Sequence, residues 1–171
     1  MIKTFGNQSL IVGLASLLLC ATSCFAKGKK EKDYGPMKRS EIILKNAVGD
    51  SLSNIILRAH RVEISTDSCI AKRLNAEAKA VVRYLIADSC NFSSDIKVYG
   101  EFVPSLCIKF KRYKKVVFVL YDFKLRKWMM KNADEQLLCM YDLKSADILR
   151  FALLALPQDK YLNELIKEQT K

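Results

Sequence analysis

Between residues 106 and 142 apolar and polar positions alternate in four short runs: "LCIKFKR" (106 to 112), "VVFVLYD" (116 to 122), "KWMMK" (127 to 131) and "LLCMYD" (137 to 142). Alternation of period two, rich in β-branched and aromatic residues, predicts strands. The breaks around Lys114, Lys124 and Asp134 are too short for crossovers, so neighbouring strands should pair antiparallel as a meander.

Elsewhere the period is helical. From Lys38, "KRSEIILKNAVGDSL" places Ile42, Ile43, Val48 and Leu52 with broadly helical spacing, and Gly49 is expected to stop the helix. "AKRLNAEAKAVVRYLIADS" repeats Leu74, Ala78, Val81 or Val82, and Leu85 three to four residues apart and predicts a helix over 72–88. "SADILRFALLAL" is amphipathic, opens at Ser145 as N-cap with Asp147 in its first turn, and ends at Pro157; "QDKYLNELIKEQ" supplies a last short helix. Two segments are mixed. "NIILRAHRVEIST" alternates in part through Ile56, Arg58, His60, Val62 and Ile64, which predicts a strand over some of it, with continuation of the preceding helix as the competitor. "CNFSSDIKVYGEFVPS" is turn-rich, with a short edge strand expected at Ile96 to Tyr99. Strands flanked by helices imply an α+β fold, an antiparallel meander sheet of about four or five strands with helices packed on one face.

The N-terminus changes the picture of where the chain works. Lys3 precedes an apolar run from Leu10 to Ala21, which ends in small residues and is followed by the basic "KGKKEK". That is a secretory signal pattern, and the run is shorter than the ~20 residues a bilayer-spanning helix needs. Two cuts are open. Peptidase action before Cys24, in "ATSC", would expose a cysteine for lipidation, although Ala21 stands where a lipoprotein signal has Leu. A cut after Ala26 leaves small residues, Cys24 and Ala26, at the two positions that a soluble-protein peptidase reads. Residues 1–26 are thus expected to be a signal peptide, 27–37 a basic flexible arm, and 38–171 a single domain. Removing 26 of the 171 residues leaves 145, enough for one core. The expected address is the periplasm or the outer membrane, with membrane attachment only through a lipid anchor.

Charge adds a functional lead. The chain carries 29 Lys and Arg against 18 Asp and Glu, a formal +11. Nine of the basic residues lie between 109 and 131, where Asp122 is the only acid. In strand geometry Lys109 and Lys111 share a face, as do Lys127 and Lys131, so the four are expected to line one positive surface, with Tyr113 and Tyr121 as flat contacts beside it. The competing account is that lysines merely keep the exposed side of a sheet wet and discourage edge pairing. Trp128 is assigned to the core. An anionic glycan, lipid head groups or an acidic protein are the partners this surface fits; export sets nucleic acid aside.

Catalytic signals are sparse. His60 is the only histidine, no zinc-ligand spacing or glycine-rich phosphate loop occurs, and no metal or cofactor is implied. Past the leader, Cys69, Cys90, Cys107 and Cys139 permit three full pairings. One helix over 72–88 would hold Cys69 and Cys90 about 30 Å apart, far beyond bridging reach. Cys107 and Cys139 fall in predicted strands and are the disulfide candidate if those strands are neighbours; four free thiols are the alternative. An echo, "LYDFK" at 120–124 and "MYDLK" at 140–144, ends two strands with Tyr-Asp. Its aspartates, Asp122 and Asp142, fit capping of turn amides, and a carboxylate pair for acid and base work is the sharper alternative.

The segment "YDFKLRKWMM … YDLKSADILRFALLALPQDKYLNEL", carried by Tyr121, Asp122, Trp128, Tyr141, Asp142, Arg150, Phe151 and Pro157, resembles the C-terminal part of small uncharacterised exported proteins or lipoproteins of Bacteroidota-type Gram-negative bacteria. The resemblance covers about a third of the chain and implies an address, not an activity. The expectation is a non-enzymatic cell-envelope domain that binds an anionic component through its basic face. The alternative is a small periplasmic hydrolase or thiol enzyme using His60 or the Asp122/Asp142 pair.

Overall fold

The computed structural model describes residues 36–92 and 100–169. The signal segment, Cys24, most of the basic arm and the strand expected at Ile96 to Tyr99 lie outside the described residues. Helix α1 (Pro36–Leu57) is followed by strands β1 (Arg61–Ser65) and β2 (Lys72–Arg73), helix α2 (Ala76–Ile86) and a single 3-10 turn (Ser89–Asn91). Strands β3 (Leu106–Arg112), β4 (Lys115–Asp122), β5 (Lys127–Asn132) and β6 (Leu137–Asp142) come next, then helices α3 (Asp147–Ala155) and α4 (Lys160–Gln169). The sheet has the order β2-β1-β3-β4-β5-β6, with every neighbouring pair antiparallel. The architecture is α+β, and the four strands of the meander stand where the alternation put them. Two further strands extend the sheet beyond β3.

Register divides the sheet into two faces. Val62, Ile64, Leu106, Ile108, Phe110, Val117, Val119, Tyr121, Trp128 and Met130 lie on aligned rows and form one core with Leu44, Ile56, Val82, Ile86, Leu149, Phe151 and Leu162 of the four helices. The helices therefore cover one face. Trp128, 1% exposed, is at the centre of this layer, its indole Nε1 donating to the Asn91 carbonyl at 3.0 Å and its ring stacked on Tyr121 and tilted against Tyr141. Burial of such a side chain contributes roughly 1.5 to 3 kcal/mol.

Three helix boundaries differ from expectation, each for a local reason. Gly49 breaks α1 without ending it: its φ of 80° and ψ of 167° are non-helical, and helix resumes as far as Leu57. Only glycine adopts that backbone without strain. The interruption releases a carbonyl at Ala47, which accepts the Tyr141 hydroxyl at 2.9 Å and ties the bend to β6. Residues 54–57 consequently belong to α1, and the alternation that holds is only that of β1. Helix α2 begins at Ala76 because Asn75 caps it, its side-chain oxygen accepting from Ala78 N at 2.8 Å. Lys72 and Arg73, expected in that helix, pair instead with Ile64 and Glu63. At α3 the cap sits one residue later than Ser145, at Ala146, although Ser145 Oγ still accepts from Asp147 N at 3.1 Å.

Two buried aspartates hold the loops at one end of the sheet. Asp159, 1% exposed, accepts from Thr66 and Ser68 hydroxyls and, through its other oxygen, from Leu162 N at 3.0 Å, so it starts α4 and pins the loop after β1. Asp122, 3% exposed, accepts from Lys124 N, Leu125 N and Val103 N at 2.9 to 3.0 Å.

Candidate anion-binding site

On the sheet face away from the helical core, the cross-strand pairs form four successive rows. The first holds Arg61, Lys111 and Val116; the second Glu63, Lys109, Phe118 and Lys131. The third, Ser65, Cys107, Leu120, Met129 and Met140, is mostly apolar, and the fourth is Asp122, Lys127 and Asp142. Lys109, Lys111, Lys127 and Lys131 do share this face, but they do not form one positive surface. The apolar row separates Lys127 from the other three.

Lys127 is also neutralised. It is 9% exposed, and its Nζ makes an ion pair with Asp142, while Asp122 stands opposite it on β4. This explains the internal echo. The two Tyr-Asp pairs fall in register on either side of Trp128 and Lys127, tyrosines on the core face and aspartates on the other. Lys127 is thus a structural counter-charge, and its assignment as a binding residue is corrected. Tyr121 is corrected likewise: it is buried, stacked between Phe123 and Trp128, and offers no flat contact to a ligand.

The accessible charge gathers at the other end of the strands, where β3 turns into β4. Arg112 pairs with Lys115, leaving Tyr113 and Lys114 as a two-residue turn. Tyr113 has a φ of 53° and is 78% exposed. A left-handed backbone costs a residue with a Cβ about 1 to 2 kcal/mol, and a solvated tyrosine recovers none of it by burial. Arg126 and Glu135, in the other two hairpin turns, have the same left-handed backbone (φ 52° and 59°), so the conformation belongs to the turns, and what sets Tyr113 apart is its exposure. The α1–β1 connection joins the same end, because Arg61 pairs with Lys111 and His60 N donates to the Lys111 carbonyl at 3.1 Å. The His60 and Tyr113 rings lie 6.2 Å apart, and the Arg112 guanidinium is 5.8 Å from the Tyr113 ring centre.

Arg61, Lys111, Lys114 and Lys115 are exposed around this turn, and Lys109 follows in the next row with its Nζ 5.5 Å over the Phe118 ring; Arg58 is exposed too, but lines a separate hollow with Glu41, Lys45 and Asp50. Glu63 offsets Arg61, with which it makes an ion pair at 2.5 Å. The helix side of the turn holds an open hollow of about 530 Å³, walled by Arg112, Tyr113, Lys114 and Lys115 against Ser51, Asn54 and Ile55 of α1. Arg112 donates to the Asn54 carbonyl across it at 3.4 Å.

The residues suggested for catalysis are differently employed. Both carboxylate oxygens of Asp122 accept backbone amides, and Asp142 is committed to Lys127. About two strand spacings, roughly 10 Å, separate their backbones. His60 contacts Tyr113 at the exposed end. Cys69, Cys90, Cys107 and Cys139 are free. Cys107 and Cys139 lie on opposite faces with two strands between them, about 14 Å of sheet, so the expected disulfide is corrected: a bridge tolerates no more than about 7 Å. Burial pushes the Cys139 thiol up to about 11; it also raises Cys107, and raises Cys90 together with the Asp88 carboxylate. These are thiols kept protonated, the reverse of what a nucleophile needs. Among the described residues no group of three or more His, Cys, Asp and Glu could hold a metal ion.

Sequence reasoning found Lys109, Lys111 and Tyr113 and missed Arg61, Lys114 and Lys115. The basic run Arg58-Ala-His-Arg61 was the available signal, but its place beside Lys111 depends on a pairing some 50 residues apart in the chain. Comparison with known proteins gives no match: no family model fits the chain, and neither a curated protein nor a solved structure is similar to it.

Proposed function

We propose that this chain is an exported cell-envelope protein whose domain binds an anionic envelope component without catalysing a reaction. One observation carries the reading. Arg61, Lys111, Lys114 and Lys115, drawn from two separate chain segments, are exposed together around an exposed tyrosine at a hairpin turn. Lysines that only solubilise a sheet need no such convergence. Lys109 and Lys131 extend the positive field along the second row. The export part of the proposal rests on the signal pattern of residues 1–26 and on the resemblance to exported proteins and lipoproteins.

The test is capture of the full chain on an immobilised polyanion such as polyphosphate, measured as a function of salt. Exposed charges act within a Debye length of about 8 Å at physiological ionic strength, so capture should fall steeply as salt rises. Replacing Lys109, Lys111, Lys114 and Lys115 by Gln should abolish it with the fold intact, and replacing Lys127 should not. Unchanged capture by the fourfold variant would sink the proposal.

A further inference from the structure

We infer that the hollow beside the β3–β4 turn receives the phosphate-bearing head group of an anionic bilayer lipid, with Tyr113 seated at the membrane surface. This rests on the anionic-partner reading and names the partner.

Three features of the end of the sheet point to a lipid surface and away from a linear polyanion. A chain polymer needs a charged groove to track along. Here the charge surrounds a protruding two-residue turn, and the turn at the same end of the next hairpin carries Asp134 and Glu135, which bound the patch on that side. The residue at the summit is a tyrosine, 78% exposed, with an apolar body and a polar tip. Such side chains settle at the head-group level of a bilayer, where lysines and arginines beside them meet the negative surface potential. The hollow itself matches a head group. Arg112 and Lys115 reach its helix side from paired positions, Lys114 closes the turn, and Ser51 and Asn54 face them across about 530 Å³ with the side chain of Ile55 beneath. Arginine and lysine bind the phosphate, the serine and asparagine meet the hydroxyls of its ester, and the apolar wall faces the carbon skeleton.

The test is the Tyr113→Trp variant of the full chain, followed by fluorescence with vesicles. The other indole, Trp128, is 1% exposed and gives a constant background. Vesicles of phosphatidylcholine with phosphatidylglycerol should move the emission to shorter wavelength and expose the new indole to quenching by brominated acyl chains. Vesicles of phosphatidylcholine alone should leave it unchanged, which separates the turn from insertion by the apolar N-terminal run. Adding Lys114→Gln and Lys115→Gln should weaken the response about twenty-fivefold, since each basic side chain near an anionic surface contributes about fivefold. Soluble glycerol phosphate and inorganic phosphate, at concentrations matching accessible lipid, should cause no comparable shift. An equal shift on both vesicle types, or none on either, overturns the lipid assignment. If polyphosphate is still captured in a salt-dependent way, the anionic-partner reading survives that result; if nothing is captured, both fall.

Discussion

Replacing Lys127 separates fold from function. The side chains of Lys127 and Asp142 are 11% and 24% exposed, and they form an ion pair in a row that also contains Asp122. Removing the ammonium leaves the Asp142 carboxylate partly buried beside a second acid. An exposed pair is worth about 0.2 to 1 kcal/mol, and breaking a fully buried one costs about 3 to 5 kcal/mol. At this intermediate exposure Lys127→Gln should cost about 2 kcal/mol, which for a domain of this size lowers the melting temperature by roughly 4 to 8 °C. Thermal unfolding followed by circular dichroism measures it, and Lys127→Met combined with Asp142→Leu should recover most of the loss, because no unpaired charge remains. Polyanion capture by Lys127→Gln, assayed well below its melting point, should equal that of the parent. Lys114→Gln with Lys115→Gln should do the opposite, altering stability by less than about 0.5 kcal/mol while capture collapses. A Lys127→Gln protein that melts normally and fails to bind would refute the division of labour between the two ends of the sheet.

Asp159 should make the fold acid-sensitive. Burial alone would raise its carboxyl, but the donors from Thr66, Leu162 and Ser68 outweigh that and hold it below the usual carboxylate range. A depressed folded value means that its contribution is present above the unfolded value of about 3.9 and is lost as pH falls below that toward the folded value. Asp159→Asn should therefore flatten the loss of stability below about pH 4, read from urea midpoints across pH. Gly49→Ala should cost about 1 to 3 kcal/mol although nothing beyond its chain neighbours and its own stretch of helix backbone lies within 4 Å of the added methyl, because the strain is in the backbone. Alanine at a neighbouring exposed position of α1 is the control. For the thiols, a reductant should not change the melting temperature, and Cys139, pushed up to about 11, should be the slowest to alkylate and the exposed Cys90 faster. A reductant-sensitive melt would restore the disulfide.

Legibility in the sequence followed the range of the interactions. Strands β3 to β6 were readable because their alternation and short turns are local properties. Gly49 was readable as a break but not as a bend: whether helix resumes depends on Leu52, Ile55 and Ile56 finding the core. Helix α2 was placed too early because Lys72 and Arg73 have ordinary helix propensity, and only β1, available in three dimensions, draws them into the sheet. The site divides in the same way. Period two put Lys109, Lys111, Lys127 and Lys131 on one face correctly. It could not show that an apolar row lies between them, nor that Lys127 faces two aspartates, since both depend on cross-strand register. The repeated Tyr-Asp was visible, and its sense came from the alignment of Asp122 and Asp142 about one lysine.

The central claim is that the cationic end of the sheet is the binding surface. Its most direct measurement is a titration of the isotopically labelled protein with short-chain polyphosphate, followed by amide nitrogen–proton correlation spectra. Shifts should concentrate at Arg58 to Arg61 and Lys109 to Val116, fade as salt is added, and leave Lys127 and Asp142 unmoved. Shifts centred on Lys127 and Asp142, or none at the hairpin turn, would contradict the account.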